Sequence, residues 1–138
     1  CAMLIKMARA QNGLQLLREY SGDTFSAYEF VPNAEEVELR LTNGLVFLIA
    51  FWSGPAIVGF KNICAALSTI ALPRGFVFRV LDWDGAEQFI EHFEREGISV
   101  GGNGEALWYK NGTVVAGTSV PMATAARIRA IVDDIARR

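Results

Sequence analysis

Apolar positions recur along this chain with changing periods, and the changes mark its elements. From Ala2 to Tyr20, Leu4, Met7, Leu14 and Leu17 fall on one side of a helix, with Ile5 and Leu16 beside them. Gly13 weakens the middle of that helix, and Ser21-Gly22-Asp23 ends it. From Phe25 to Val31 the pattern becomes alternation, Phe25, Ala27, Glu29 and Val31 against Ser26, Tyr28 and Phe30, which predicts a strand. Pro32 stops the strand, and Asn33 caps a short helix through Leu39. Glu35 and Glu36 stand in its first turn, where the helix dipole favours acids.

Leu45 to Trp52 is an unbroken apolar run, the mark of a strand buried on both faces. Ser53-Gly54-Pro55 turns it into a helix reaching about Ala71, with Ile57, Phe60, Cys64, Leu67 and Ala71 on one face. Ser53 is placed to cap that helix, and Pro55 suits its first turn. Phe76 to Leu81 predicts another strand, ending at Asp82-Trp83-Asp84. Gly85 to Glu96 is an amphipathic helix with Phe89, Ile90 and Phe93 inward and Glu87, Glu91, Glu94 and Arg95 outward. After the turn at Gly101-Gly102-Asn103-Gly104, Ala106 to Lys110 and Thr113 to Gly117 flank Asn111-Gly112, a strong hairpin signal. Pro121 to Arg138 is a last helix with Ile128, Ile131, Val132 and Ile135 inward. The order α-β-α-β-α-β-α-β-β-α predicts an α/β sheet with parallel pairing, except at the final antiparallel hairpin.

Composition narrows the function classes. A chain of 138 residues with 51% apolar residues fits one domain with a substantial core. The net charge of −2 comes with scattered Lys and Arg, loosely grouped only at Arg127, Arg129, Arg137 and Arg138. That is no footprint for nucleic acid. No run reaches the length of a membrane span, and Ala2 to Ile5 is too short for a signal-peptide core. Two cysteines and one histidine give neither a disulfide framework nor a zinc cluster. No cofactor is implied. The expected location is the cytoplasm, or the periplasm or a lipid anchor where Cys1 is a processed end.

The candidate chemistry is sparse. Ser53 as a nucleophile needs a base, and the sole histidine, His92, falls on another helix among glutamates, where solvent is its expected surrounding. Cys64 shares the spacing of Phe60 and Leu67, which makes it a small core residue. Asp82 and Asp84 at a strand end can hold a cation, but acids there more commonly cap the next helix. The amides opening the Gly54-Pro55 helix can take an anion, although Ser53 already uses part of that capacity. Phe51 and Trp52 either pack beneath the first helix or form a contact surface beside the Gly101 to Gly104 loop. The first helix either covers a sheet edge or pairs two subunits in a homodimer.

The stretch Trp52-Ser53-Gly54-Pro55-Ala56 resembles the Trp-Cys-Gly-Pro-Cys turn of the thioredoxin family. Val100 and Gly102 resemble the Val-x-Gly before that family's cis-proline, and Lys110-Asn111-Gly112-Thr113-Val114-Val115 resembles its Lys-Asn-Gly hairpin. The resemblance covers residues 25–138. It implies a thioredoxin-like α/β fold, a five-stranded mixed sheet flanked by helices, with residues 1–24 as an extra N-terminal helical extension.

The departures from the family pattern bear on activity. Ser53 and Ala56 stand where the two thiols belong. Thiol-disulfide exchange needs a thiolate, whose pKa a helix N-terminus lowers. By the resemblance, the family's buried carboxylate falls on Phe47 and its cis-proline on Gly104. A non-prolyl cis bond costs ~2.5–4 kcal/mol, so a trans peptide and a reshaped loop are expected. Lys61 replaces a proline that often kinks the following helix, and the helix after Asp84 is longer than usual.

The resemblance therefore implies a redox-inactive module that binds another protein through Trp52, Ser53, Gly54 and Pro55 opposite Asn103 and Gly104, as an assembly chaperone, adaptor or inhibitor. One alternative is a thiol-disulfide or peroxide-reducing enzyme using Cys64 or Cys1. Another is a cysteine-knockout form of an oxidoreductase, which explains Ser53 and Ala56 but not Phe47 or Gly104.

Overall fold

The computed structural model describes residues 13–22, 25–31, 41–102, 104–119 and 124–137. The short helix expected after Asn33, the start of the first helix, Cys1 and Asn103 lie outside the described residues.

The central strand is the apolar run. Strand β2 (Gly44–Ile49) has all six residues buried. It pairs in parallel with β3 (Val77–Asp82) and antiparallel with β4 (Ala106–Lys110). Beyond β3 lies the parallel edge strand β1 (Glu29–Val31), and beyond β4 the antiparallel β5 (Thr113–Thr118). The sheet thus runs β1-β3-β2-β4-β5. The Asn111-Gly112 turn is left-handed at both positions, φ 52° and 80°, the geometry that matches strand twist in a two-residue hairpin. The 42–43 bend braces it: Asn111 donates its N–H to Asn43 Oδ1 at 3.0 Å, and Gly112 donates to the Thr42 carbonyl at 2.9 Å.

Alternation along β2 divides the core. Leu45, Phe47 and Ile49 join one cluster with Phe60, Ile63, Cys64 and Leu67 of α2 (Gly54–Leu67) and Ile128, Val132 and Ile135 of α4 (Ala125–Ala136). Val46 and Leu48 join a second cluster with Phe89 and Phe93 of α3 (Glu87–Arg95). A residue one step along a strand faces the opposite side, so helices cover both faces of this sheet. The helix over residues 13–21, α1, buries Leu17 completely in the first cluster.

Three expected boundaries move inward. The strand expected over 25–31 pairs only from Glu29. Its earlier residues spend their rings on the core instead: Phe25 lies 6.1 Å from Phe78, and Tyr28 lies 5.4 Å from Phe60 and 6.0 Å from Phe78 between centroids. β2 stops at Ile49, because the chain turns tightly with Ser53 donating its N–H to the Ala50 carbonyl at 2.9 Å. α2 stops at Leu67, where the Ser68 and Thr69 hydroxyls donate back to the carbonyls of Ala65 and Ala66. Such back-bonding competes with helix continuation.

Candidate functional site

The site is built at the C-terminal end of β2. An apolar strand must emerge from the sheet and become a helix within four residues, and Ala50 to Ser53 make that turn. Ser53 takes extended geometry, φ −112° and ψ 119°, and its Oγ accepts the Ala56 N–H at 3.5 Å. That distance is at the outer limit for a hydrogen bond. Pro55 sits in the first turn of α2, where a missing N–H costs nothing. Ser53 is the helix cap and is 8% exposed.

Three sequence-predicted positions meet behind this turn. Phe47 and Ala56 are fully buried. A Cβ built on Gly104 would stand 3.3 Å from Ala56 Cα and 3.3 Å from the Phe47 ring. Gly104 has φ +77°, a conformation that side chains disfavour. Phe47 continues inward to Phe60, with ring centroids 6.0 Å apart. Strand β2, the start of α2 and the loop before β4 thus close on one apolar contact. The peptide bond before Gly104 involves Asn103 and lies outside the described residues.

The two aromatics of the turn part company. Phe51 is 7% exposed and meets Phe30 edge-on at 5.8 Å. Trp52 points outward and is 49% exposed. Its indole meets Trp83 edge-on, with centroids 6.1 Å apart and planes at 84°. Its other support is Gly102, where a Cβ would come within 2.7 Å of Trp52 Cη2. Gly54 and Pro55 are exposed beside it, and Val58 lies exposed further along α2.

The chemistry-bearing candidates lie apart from one another. His92 is half-buried, not free in solvent as its glutamate neighbours suggested: Nε2 lies 3.0 Å from Tyr109 Oη. The tyrosine belongs to the α3 face of the sheet, whereas the hydroxyl of Ser53 caps α2. Cys64 is a buried free thiol on α2, and burial pushes its pKa from 9.0 up to about 12. A thiol so placed is a poor nucleophile at neutral pH. Asp82 Oδ1 accepts the Asp84 N–H at 3.0 Å and caps a 3-10 turn over Trp83–Gly85. Among the described residues, no group of three or more His, Cys, Asp or Glu is placed to hold a metal.

Glu105 is the residue that sequence reasoning missed. It is 1% exposed, and its Oε1 accepts the N–H groups of Gly101 at 2.7 Å and Gly102 at 2.9 Å. A lone acid at the start of an apolar strand carries no periodic signal. The only hint was its place directly after a glycine-rich loop whose amides need acceptors.

No protein-family model matches the sequence, and a search of curated proteins finds no match either. A solved structure does match: the thioredoxin Mala s 13 of Malassezia sympodialis, 14% identical, with a TM-score of 0.58 over 80% of this chain and 91% of that one. At that identity the likeness shows the fold alone. This chain has a thioredoxin-like α/β fold with a five-stranded mixed sheet and helices on both faces, an N-terminal helix among them.

Proposed function

We propose that this chain is a redox-inactive thioredoxin-like module that binds another protein through the Trp52 corner. The observation that carries the reading is the packing of Phe47, Ala56 and Gly104 into one apolar contact. Dithiol exchange needs a thiolate, a resolving thiol and a proton acceptor; here those places hold a hydroxyl that caps a helix, a methyl group and a phenyl ring. The departures fit one another sterically, which supports their having arisen together and argues against two isolated cysteine substitutions. An enzyme working through Cys64 is disfavoured by the burial of that thiol.

The half-exposed indole, flanked by exposed Gly54 and Pro55, supplies a rigid aromatic anchor of the kind enriched at protein contacts. Asn103 and Gly104, which follow Gly102 in the chain, complete the proposed contact. In this reading residues 25–138 form the domain and residues 1–24 an extension that closes it through Leu17. The module serves as an assembly chaperone, adaptor or inhibitor.

The test is a paired capture from the organism that makes the protein, with native chain and Trp52→Ala immobilised side by side. A partner retained by the native chain and lost from the variant is the expected result. Identical retained sets would contradict the proposed surface.

A further inference from the structure

We infer that Glu105 is the positioning residue of this corner, holding the loop wall against which Trp52 lies. The inference rests on the reading of that corner as a contact surface. Glu105 is tied to the sheet by its backbone, since its carbonyl accepts the Leu48 N–H of β2 at 3.0 Å. Its carboxylate reaches the other way and gathers two successive amides, those of Gly101 and Gly102, onto one oxygen. Consecutive N–H groups converging on an anion form a strong, directional cradle, and such charge-assisted bonds are short. Gly102 then sits at φ +78° with Trp52 Cη2 directly over it. The chain of contacts therefore runs from the central strand through a buried carboxylate to the glycine loop and on to the exposed indole. Position 102 admits no side chain without displacing that indole, and Glu105 fixes where position 102 stands. Trp83 supports the indole from another side, but it belongs to the 3-10 turn after β3, which the Asp82 carboxylate caps.

The test follows amide hydrogen exchange at Gly101 and Gly102 together with fluorine NMR of the chain labelled with 5-fluorotryptophan. The resonances of Trp52, Trp83 and Trp108 are assigned by single Trp→Phe substitutions. In Glu105→Ala both amides exchange faster by about tenfold or more, the Trp52 resonance moves, and that of core Trp108 stays. Glu105→Gln keeps an oxygen acceptor of the same shape and shows smaller changes of the same kind, and it carries the test if the alanine variant fails to fold. Unchanged amide exchange overturns the inference, as does faster exchange with an unmoved Trp52. Equal shifts at all three tryptophans also overturn it, since they mark a general structural role. None of these readouts involves a partner. Failure of the Trp52-dependent capture alone removes the binding reading and leaves the positioning role standing.

Discussion

Phe47 and Gly104 are fitted to each other: a Cβ on the glycine would stand 3.3 Å from the phenyl ring, tighter than ordinary van der Waals contact. The strand residue and the loop residue lie 57 positions apart in sequence (104 minus 47). They meet because β2 pairs with β4, directly after the loop.

The first prediction follows from that fit. Gly104→Ala places a side chain in a left-handed conformation, at roughly 1–2 kcal/mol, and presses it against Phe47 and Ala56. Its urea midpoint should show a loss of about 2–3 kcal/mol. Phe47→Leu makes room, so the double variant should lose less than the two single losses summed, by about 0.5 kcal/mol or more. Additive losses would show that the ring is not what constrains position 104.

Cys64 gives a pH prediction with a definite sign. Its folded pKa is raised from 9.0 to about 12 by burial. Below the unfolded value both states hold the proton, and the contribution to stability is full. Above it the unfolded chain ionises first, so that contribution falls as pH rises from about 9 toward about 12. Between about pH 8 and pH 10 the native chain should lose roughly 1.4 kcal/mol more than Cys64→Ala does. The same burial predicts that Cys64 resists alkylation until the chain unfolds. Rapid labelling of the native thiol at neutral pH would contradict the placement.

The tryptophans should behave oppositely. Trp108 is fully buried and its Nε1 donates to Thr118 Oγ1 at 3.0 Å. Trp108→Ala should cost roughly 3–5 kcal/mol. Trp52 is half exposed and loses mainly its edge contact with Trp83, so Trp52→Ala should cost about 1 kcal/mol. Thermal unfolding of the two variants checks the contrast.

How far the sequence reached depended on whether a signal was local. Asn111-Gly112 dictates its own turn, and the run Leu45 to Ile49 announces a strand buried on both sides, so hairpin and central strand were both legible. Ser53 as cap and Cys64 as core were legible from spacing. The start of β1 was not, because alternation says which way Phe25 and Tyr28 point, not whether their backbone pairs; both rings pack on Phe78 instead. His92 looked solvated because neighbours along a helix do not reveal a tyrosine 17 positions away on a strand. Glu105 was missed for a related reason: its work is done on amides of a loop, and no period records that.

Ser53 provides a prediction of modest size. Its cap bond to Ala56 is long at 3.5 Å, so Ser53→Ala should cost about 0.5–1 kcal/mol, the lower part of the range for lost caps. Ser53→Asp, which adds a favourable charge at the helix start, should recover or exceed native stability. Denaturant midpoints of the two variants decide it.

No dithiol exchange is expected at this turn, and the decisive measurement is the rate of insulin disulfide reduction in the presence of a small dithiol. The native chain should give a rate equal to that of the dithiol alone, unchanged by Cys64→Ala. Turnover comparable to that of a thioredoxin assayed alongside would contradict it.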